Sequence, residues 1–221
     1  MTATQTARRR APAMSGEERR AAIIEATLPL LAEYGMKVTT SQIAQAAGIA
    51  EGTVFRAFGD KQELIDQCLQ QAFNPTDGLA AIRAVPHHEP LEVRLRVIAA
   101  NMADRMRKIG ALMHALSATG YRMEQMHEQK RLGDRDQWIT DTTAALVEVI
   151  GPDAATLRLP PERVAQLFLG VVFSTQFAGR MHGCGVPDHD TADEAYAMNE
   201  LVDVFLHGVV TDTSRHGEKT P

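Results

Sequence analysis

The sequence predicts an all-α fold, a head of three helices followed by a C-terminal helical bundle. Apolar residues recur at three- and four-residue steps near the N-terminus, two broad apolar stretches of helical length lie near the C-terminus, and no strand-like alternation competes with the short helices of the head. With 221 residues, 44% of them apolar, the chain is long enough to bury a substantial core.

Residues 1–15 hold the triplet Arg8-Arg9-Arg10, small polar residues and Pro12 without periodicity, and read as a disordered basic arm. From Glu17 the positions Ile23, Ile24, Thr27, Leu28, Leu31 and Tyr34 mark one face of a first helix that Gly35 stops. Pro29 inside it predicts a kink, or packing strong enough to absorb it. A second helix fits Thr40 to Ala47, because Thr39 and Gln42 have capping-box spacing and Gly48 suits the end. A third runs from about Glu51 to Phe58, Gly59-Asp60 makes a turn, and a fourth begins at Lys61 and reaches about Phe73. Pro75, Pro86 and Pro90 suggest a loop, after which helices fit about 91–107, 109–119 and 123–150, with boundaries near Gly110 and Gly120. Pro152 and Leu159-Pro160-Pro161 interrupt the chain, and two last helices, about 162–182 and 192–210, flank a turn at Gly183-Cys184-Gly185-Val186-Pro187. The expected division is a head over 16–65, a helical body over 66–212 and a flexible tail over 213–221.

Charge is distributed unevenly. The net charge is −5, yet residues 1–62 carry eight Lys/Arg against six acids, and the remainder 15 against 22. A mildly basic head on an acidic body suits a molecule that offers only one end to phosphates. Two short helices joined by a tight glycine turn bury too little to stand alone, so they lean on the first and fourth helices as in a helix-turn-helix. The second short helix is then the natural major-groove element.

The residues Thr40-x-x-Ile43-Ala44-x-x-Ala47-Gly48-Ile49-x-x-Gly52-Thr53-Val54-Phe55-x-x-Phe58-x-x-Lys61-x-x-Leu64 resemble the N-terminal domain of TetR-type (TetR/AcrR family) regulators, and Ile23-Ile24-x-Ala26 and Ala32-Glu33-x-Gly35 fit the same pattern. The match is continuous over about 45 residues. The rest of the chain resembles the family only in being helical and of suitable length. Ile43, Ala44, Ala47, Ile49, Val54 and Phe58 read as packing. Thr40, Ser41, Gln42, Glu51, Gly52, Thr53, Phe55, Arg56 and Lys61 are the candidate DNA-facing positions: hydroxyls, helix N-termini and cations meet phosphates, and Gly52 leaves room for backbone approach. Arg56 suits either guanine or phosphate. Two positions depart from the family pattern: Ala50 stands where a capping serine is usual, and Phe55 where a tyrosine is usual. Glu51 repels phosphates but favours a helix N-terminus and can accept from a cytosine amine.

The stretch Val164–Phe173 is apolar on nearly every face, and Ala197, Leu201, Val204, Phe205, Leu206 and Val209 give the last helix a wide apolar surface. The resemblance implies that these two helices form a homodimer interface, and two heads then read an approximately palindromic operator in double-stranded DNA. Met102, Met106, Met113, Met126, Trp138, Phe173 and Phe177, with His114, Thr142 and Gln176, are candidates to line a pocket for an unidentified small-molecule effector, although such residues also serve as ordinary core.

The expected function is therefore a sequence-specific transcriptional regulator, a repressor released by an effector. The alternative is an architectural DNA-binding protein or an activator without a ligand. No catalytic motif accompanies His87-His88, and Cys68 and Cys184 lack zinc spacing, so the sequence points to no enzyme, no metal and no cofactor. With no run of about 18 apolar residues and no signal-like N-terminus, a cytoplasmic protein without membrane contact is expected.

Overall fold

A computed structural model describes the backbone of residues 15–121, 128–181 and 191–209, with side chains over 15–121, 136–174 and 198–209. The described residues form nine α-helices and no strand: α1 Gly16–Tyr34, α2 Thr40–Ala46, α3 Glu51–Ala57, α4 Lys61–Phe73, α5 Pro75–Arg83, α6 Leu91–Ala118, α7 Glu128–Ile150, α8 Pro161–Met181 and α9 Thr191–Val209. The all-α expectation is met. Residues 1–14 of the expected arm over 1–15, Met126, the turn over 183–187 and the tail over 213–221 lie outside the described residues.

Two compact units are present. The head comprises the described residues through Phe73 together with Leu112–Tyr121, and the body comprises Asn74–Ala111 and the described residues beyond 121. The head therefore takes in all of α4 and the last part of α6, beyond the 16–65 span expected from the sequence.

Local chemistry explains the head. Ser15 caps α1: its hydroxyl accepts from the Glu18 amide at 3.1 Å and its amide donates to the Glu18 carboxylate at 2.7 Å. The Ser15 amide, and after it the Ser15 side chain, hold the Glu18 carboxyl below its ordinary range. Pro29 leaves α1 unbroken. Both Pro29 and Glu25, whose carbonyl loses its helical partner, are exposed, so water replaces the missing bond. Thr39 and Gln42 form the expected capping box on α2. Gly48, at φ 65°, makes the turn that only glycine adopts without strain, and the Ile49 amide closes it on the Ala44 carbonyl at 3.0 Å. Ile23, Leu31, Val38, Ile43, Val54, Phe58, Leu64, Ile65, Leu112 and Leu116 make one core. Each such side chain contributes about 1.5–3 kcal/mol on burial.

In the body, Leu95, Ile98, Ala99, Leu146, Val149, Val164, Phe168, Val172, Val202 and Phe205 form a second core, with the Phe168 and Phe205 rings 5.7 Å apart. Arg94 is buried within it and donates to the Val149 carbonyl and to Asp153, tying α6 to the end of α7.

Two sequence expectations are corrected. The expected loop after Phe73 contains α5, because Pro75 occupies its first position, where a missing amide costs nothing, and the Asn74 side chain accepts from the Thr76 amide at 3.1 Å. Gly110 does not divide two helices: α6 runs through it as one helix of 28 residues. A mid-helix glycine costs about 1 kcal/mol, which buried Met102 on one side and Leu112 and Leu116 on the other offset. Gly120, at φ 94°, does end the segment, beside the Tyr121 amide that bonds the Leu116 carbonyl at 3.0 Å.

Candidate nucleic-acid interface

Helix α3 has an inner and an outer side. Val54 and Phe58 are buried against Ile43 and Ala44 of α2 and against α1, while Ala47 and Ile49 are half-buried beside them. Gly52, Phe55 and Arg56 are exposed and Thr53 is half-buried. A Cβ added to Gly52 would touch nothing within the protein, so the space it leaves is on the outer side. Phe55 is 49% exposed, an apolar ring held in water on an otherwise polar surface. Among the described residues no hydrogen bond or ion pair engages Arg56.

The other sequence candidates separate into free and engaged groups. Ser41 is exposed. Gln42 spends its carbonyl on the Thr39 amide at 2.8 Å, as a capping residue. The Thr40 hydroxyl donates to the Glu51 carboxylate and so joins α2 to α3. Lys61 donates to the Met36 carbonyl at 2.6 Å and is half-buried there. Ala50 provides no side-chain cap for α3, as its side chain dictates.

Beside α3 runs an open groove of about 680 Å³ lined by Gly16, Glu17, Arg19 and Arg20 of α1 and by Ile49, Ala50, Thr53, Arg56 and Ala57. Arg20 straps its walls together: its Nε donates to the Ala57 carbonyl at 2.8 Å, its guanidinium lies over the Phe58 ring at 5.4 Å, and it reaches Glu63 at 3.7 Å. Arg19 and Arg20 were absent from the sequence candidates. The Ser15-x-x-Glu18 capping box was the available signal: it starts α1 at Gly16 and so places both arginines in the helix's first turns.

This geometry is a two-helix reader on a common core: a cation-bearing outer face and a groove wall with two further arginines. The family model for "Bacterial regulatory proteins, tetR family" matches residues 23–68, the segment that builds it. Residues 23–68 match a TetR-type helix-turn-helix domain. Over 90 residues the chain is 37% identical to the HTH-type transcriptional regulator BetI of Burkholderia cenocepacia (strain HI2424), covering 40% of this chain and 46% of that protein. The chain thus spans about half the length of the curated relatives it matches. Solved structures extend the likeness to the all-α fold as a whole. A transcriptional regulator from Cytophaga hutchinsonii ATCC 33406 superposes with TM-score 0.62 at 15% identity, over 86% of this chain and 98% of that one. A tetR-family transcriptional regulator from Streptomyces coelicolor superposes with TM-score 0.54 at 24% identity, over 88% and 81%.

Outside the TetR-type domain, the effector candidates are dispersed. Trp138 and Phe173 meet edge to face at 5.4 Å in the body, where Met102 is buried and Met106 half-buried. Thr142 is buried, and its hydroxyl has no hydrogen-bond partner among the described residues. Met113 and His114 do not join them. Because α6 continues past Gly110, Met113 packs against the head core and His114 is exposed on the same segment. The side chains of Gln176 and Phe177, like Met126, lie outside the described residues. Among the described residues no group of three metal-ligating side chains occurs, and no helix is long and apolar enough to cross a membrane.

Proposed function

We propose that this chain is a homodimeric transcriptional regulator that occupies an approximately palindromic operator and is released from it by a small-molecule effector. The observation that carries the reading is the outer face of α3, which presents Gly52, Phe55 and Arg56 to solvent while Val54 and Phe58 anchor the helix from behind. An arginine without a protein partner and a bare phenyl ring gain little in water; against a duplex, the guanidinium meets guanine or phosphate and the ring meets a thymine methyl.

Dimerisation is supported by the apolar surface that α8 and α9 leave uncovered: Leu167 is 39% exposed and Val204 65%. A partner copy would bury both. Effector binding in the body is supported by the buried Thr142 hydroxyl, four residues after Trp138 on α7 and without a partner among the described residues, since such a hydroxyl costs about 1–3 kcal/mol that a polar ligand atom recovers.

The test is selection of bound fragments from genomic DNA by the purified protein. Enrichment of fragments that share an inverted repeat supports the regulator. Binding that is uniform over all fragments contradicts it.

A further inference from the structure

The Thr40–Glu51 hydrogen bond is the one polar link between the first turns of α2 and α3 among the described residues, and it consumes a hydroxyl that would otherwise be available to phosphate. Glu51 itself is exposed, and no cation pairs with it among the described residues. A carboxylate recruited only to finish a helix N-terminus would turn back and accept from an α3 amide. This one does not: α3 has no side-chain cap, the Thr53 amide bonds the Ala50 carbonyl at 2.8 Å, and the carboxylate takes its hydrogen bond from the other helix. Glu51 is thereby tied to Thr40 through one oxygen, with no partner for the other among the described residues, next to Gly52, whose missing side chain leaves the approach open.

A negative group on a surface that meets phosphates is unfavourable unless it finds a donor there. In the major groove, guanine and thymine present only acceptors to such a group, or a methyl. Adenine pairs its N6 amine with a repelling N7 acceptor, and cytosine offers N4–H without one. Resting on the reading of α3 as the major-groove helix, we propose that Glu51 is a specificity-determining residue that accepts a hydrogen bond from a cytosine N4 amine in each half-site, with Thr40 as its positioning residue. The same carboxylate discriminates against guanine and thymine, whose acceptors it repels.

The experiment is selection from randomised duplexes with the full chain and with Glu51→Gln, Glu51→Ala and Thr40→Val, alongside thermal melting of each. The wild-type consensus is expected to hold a cytosine at one symmetric position, preferred about 10-fold, within the lower half of the range that a bidentate base contact carries. Glu51→Gln is expected to move that position toward adenine, because an amide matches N6 and N7 together. Glu51→Ala makes it indifferent, and Thr40→Val weakens the cytosine preference; both leave the other positions unchanged. A Glu51→Gln consensus identical to wild type, or an affinity loss spread evenly over every position, overturns the proposal and assigns Glu51 to fold stability. Absence of any consensus for the wild-type chain overturns the regulator reading as well, so the two failures are distinct. Glu51→Gln preserves shape and hydrogen-bonding reach, and carries the test if Glu51→Ala does not fold.

Discussion

The head and the body solve opposite surface problems. The head buries its apolar side chains almost completely and uses side chains to strap backbone together: Arg20 to the Ala57 carbonyl, Lys61 to the Met36 carbonyl, and the Thr119 hydroxyl accepting from the Met36 amide at 2.8 Å. What it leaves outside is mostly polar or charged, with Tyr34, Phe55 and Phe73 as exposed large apolar side chains. The body leaves Val93, Val97, Ile139, Leu159, Leu167 and Val204 outside, and places a buried cation, Arg94, and a hydroxyl without a partner among the described residues, Thr142, inside. Phosphates suit the first surface and an apolar partner the second, which is the division that the proposed function requires.

The largest expected effect comes from Gly35→Ala. Gly35 adopts φ 55°, and a Cβ there would overlap the Ala115 carbonyl and the Thr119 hydroxyl of the segment that completes the head. Left-handed strain of about 1–2 kcal/mol and overpacking of about 1–3 kcal/mol add to about 2–5 kcal/mol of destabilisation, measured by denaturant unfolding. An unchanged midpoint would show that residues 112–121 do not belong to the head. In the body, Arg94→Ala is expected to cost about 3 kcal/mol, because it strips the Val149 carbonyl and the Asp153 carboxylate of their shared donor. Comparing the DNA affinity of this variant with that of a head-core variant such as Phe58→Ala sharpens the division: at temperatures where both remain folded, only the head change should weaken binding.

The contrast also decides what was legible in the sequence. Capping boxes, the Gly48 turn and the apolar spacing of Ile43, Val54 and Phe58 are relations over three to eleven residues, and all stand in the structure. Lys61 looked like a phosphate contact because its partner, the Met36 carbonyl, lies 25 residues away and carries no side-chain signature. Pro75 alone reads as a breaker, and only the Asn74 cap turns it into a starter; Gly110 reads as a boundary because the packing on either side that overrides its propensity is tertiary. The effector candidates were a list of residue types, and only tertiary packing separates Met102 and Trp138 in the body from Met113 in the head.

Smaller effects refine the outer face. Arg56→Ala is expected to weaken specific binding by about 1–3 kcal/mol if the guanidinium reads a base, and to lower the salt dependence by about one phosphate contact if it does not. Titrating affinity against salt separates the two. The smallest effect is the absence of one: burial pushes the Cys68 thiol up to about 12. Its neutral form therefore favours the fold below the ordinary cysteine range, and this contribution is lost as pH rises toward 12. In a Cys184→Ser background at pH 8, alkylation of Cys68 should be slower than that of a free thiol by about 1,000-fold and leave DNA binding intact. Rapid modification would show that the head core is open.

The most direct measurement is a hydroxyl-radical footprint of the full chain on a selected operator. Two protected patches on one face of the duplex, with centres one helical turn or about 34–36 Å apart and related by an inverted repeat, are expected of a dimer that presents two α3 helices. A single protected patch, or even protection along the whole fragment, would contradict it.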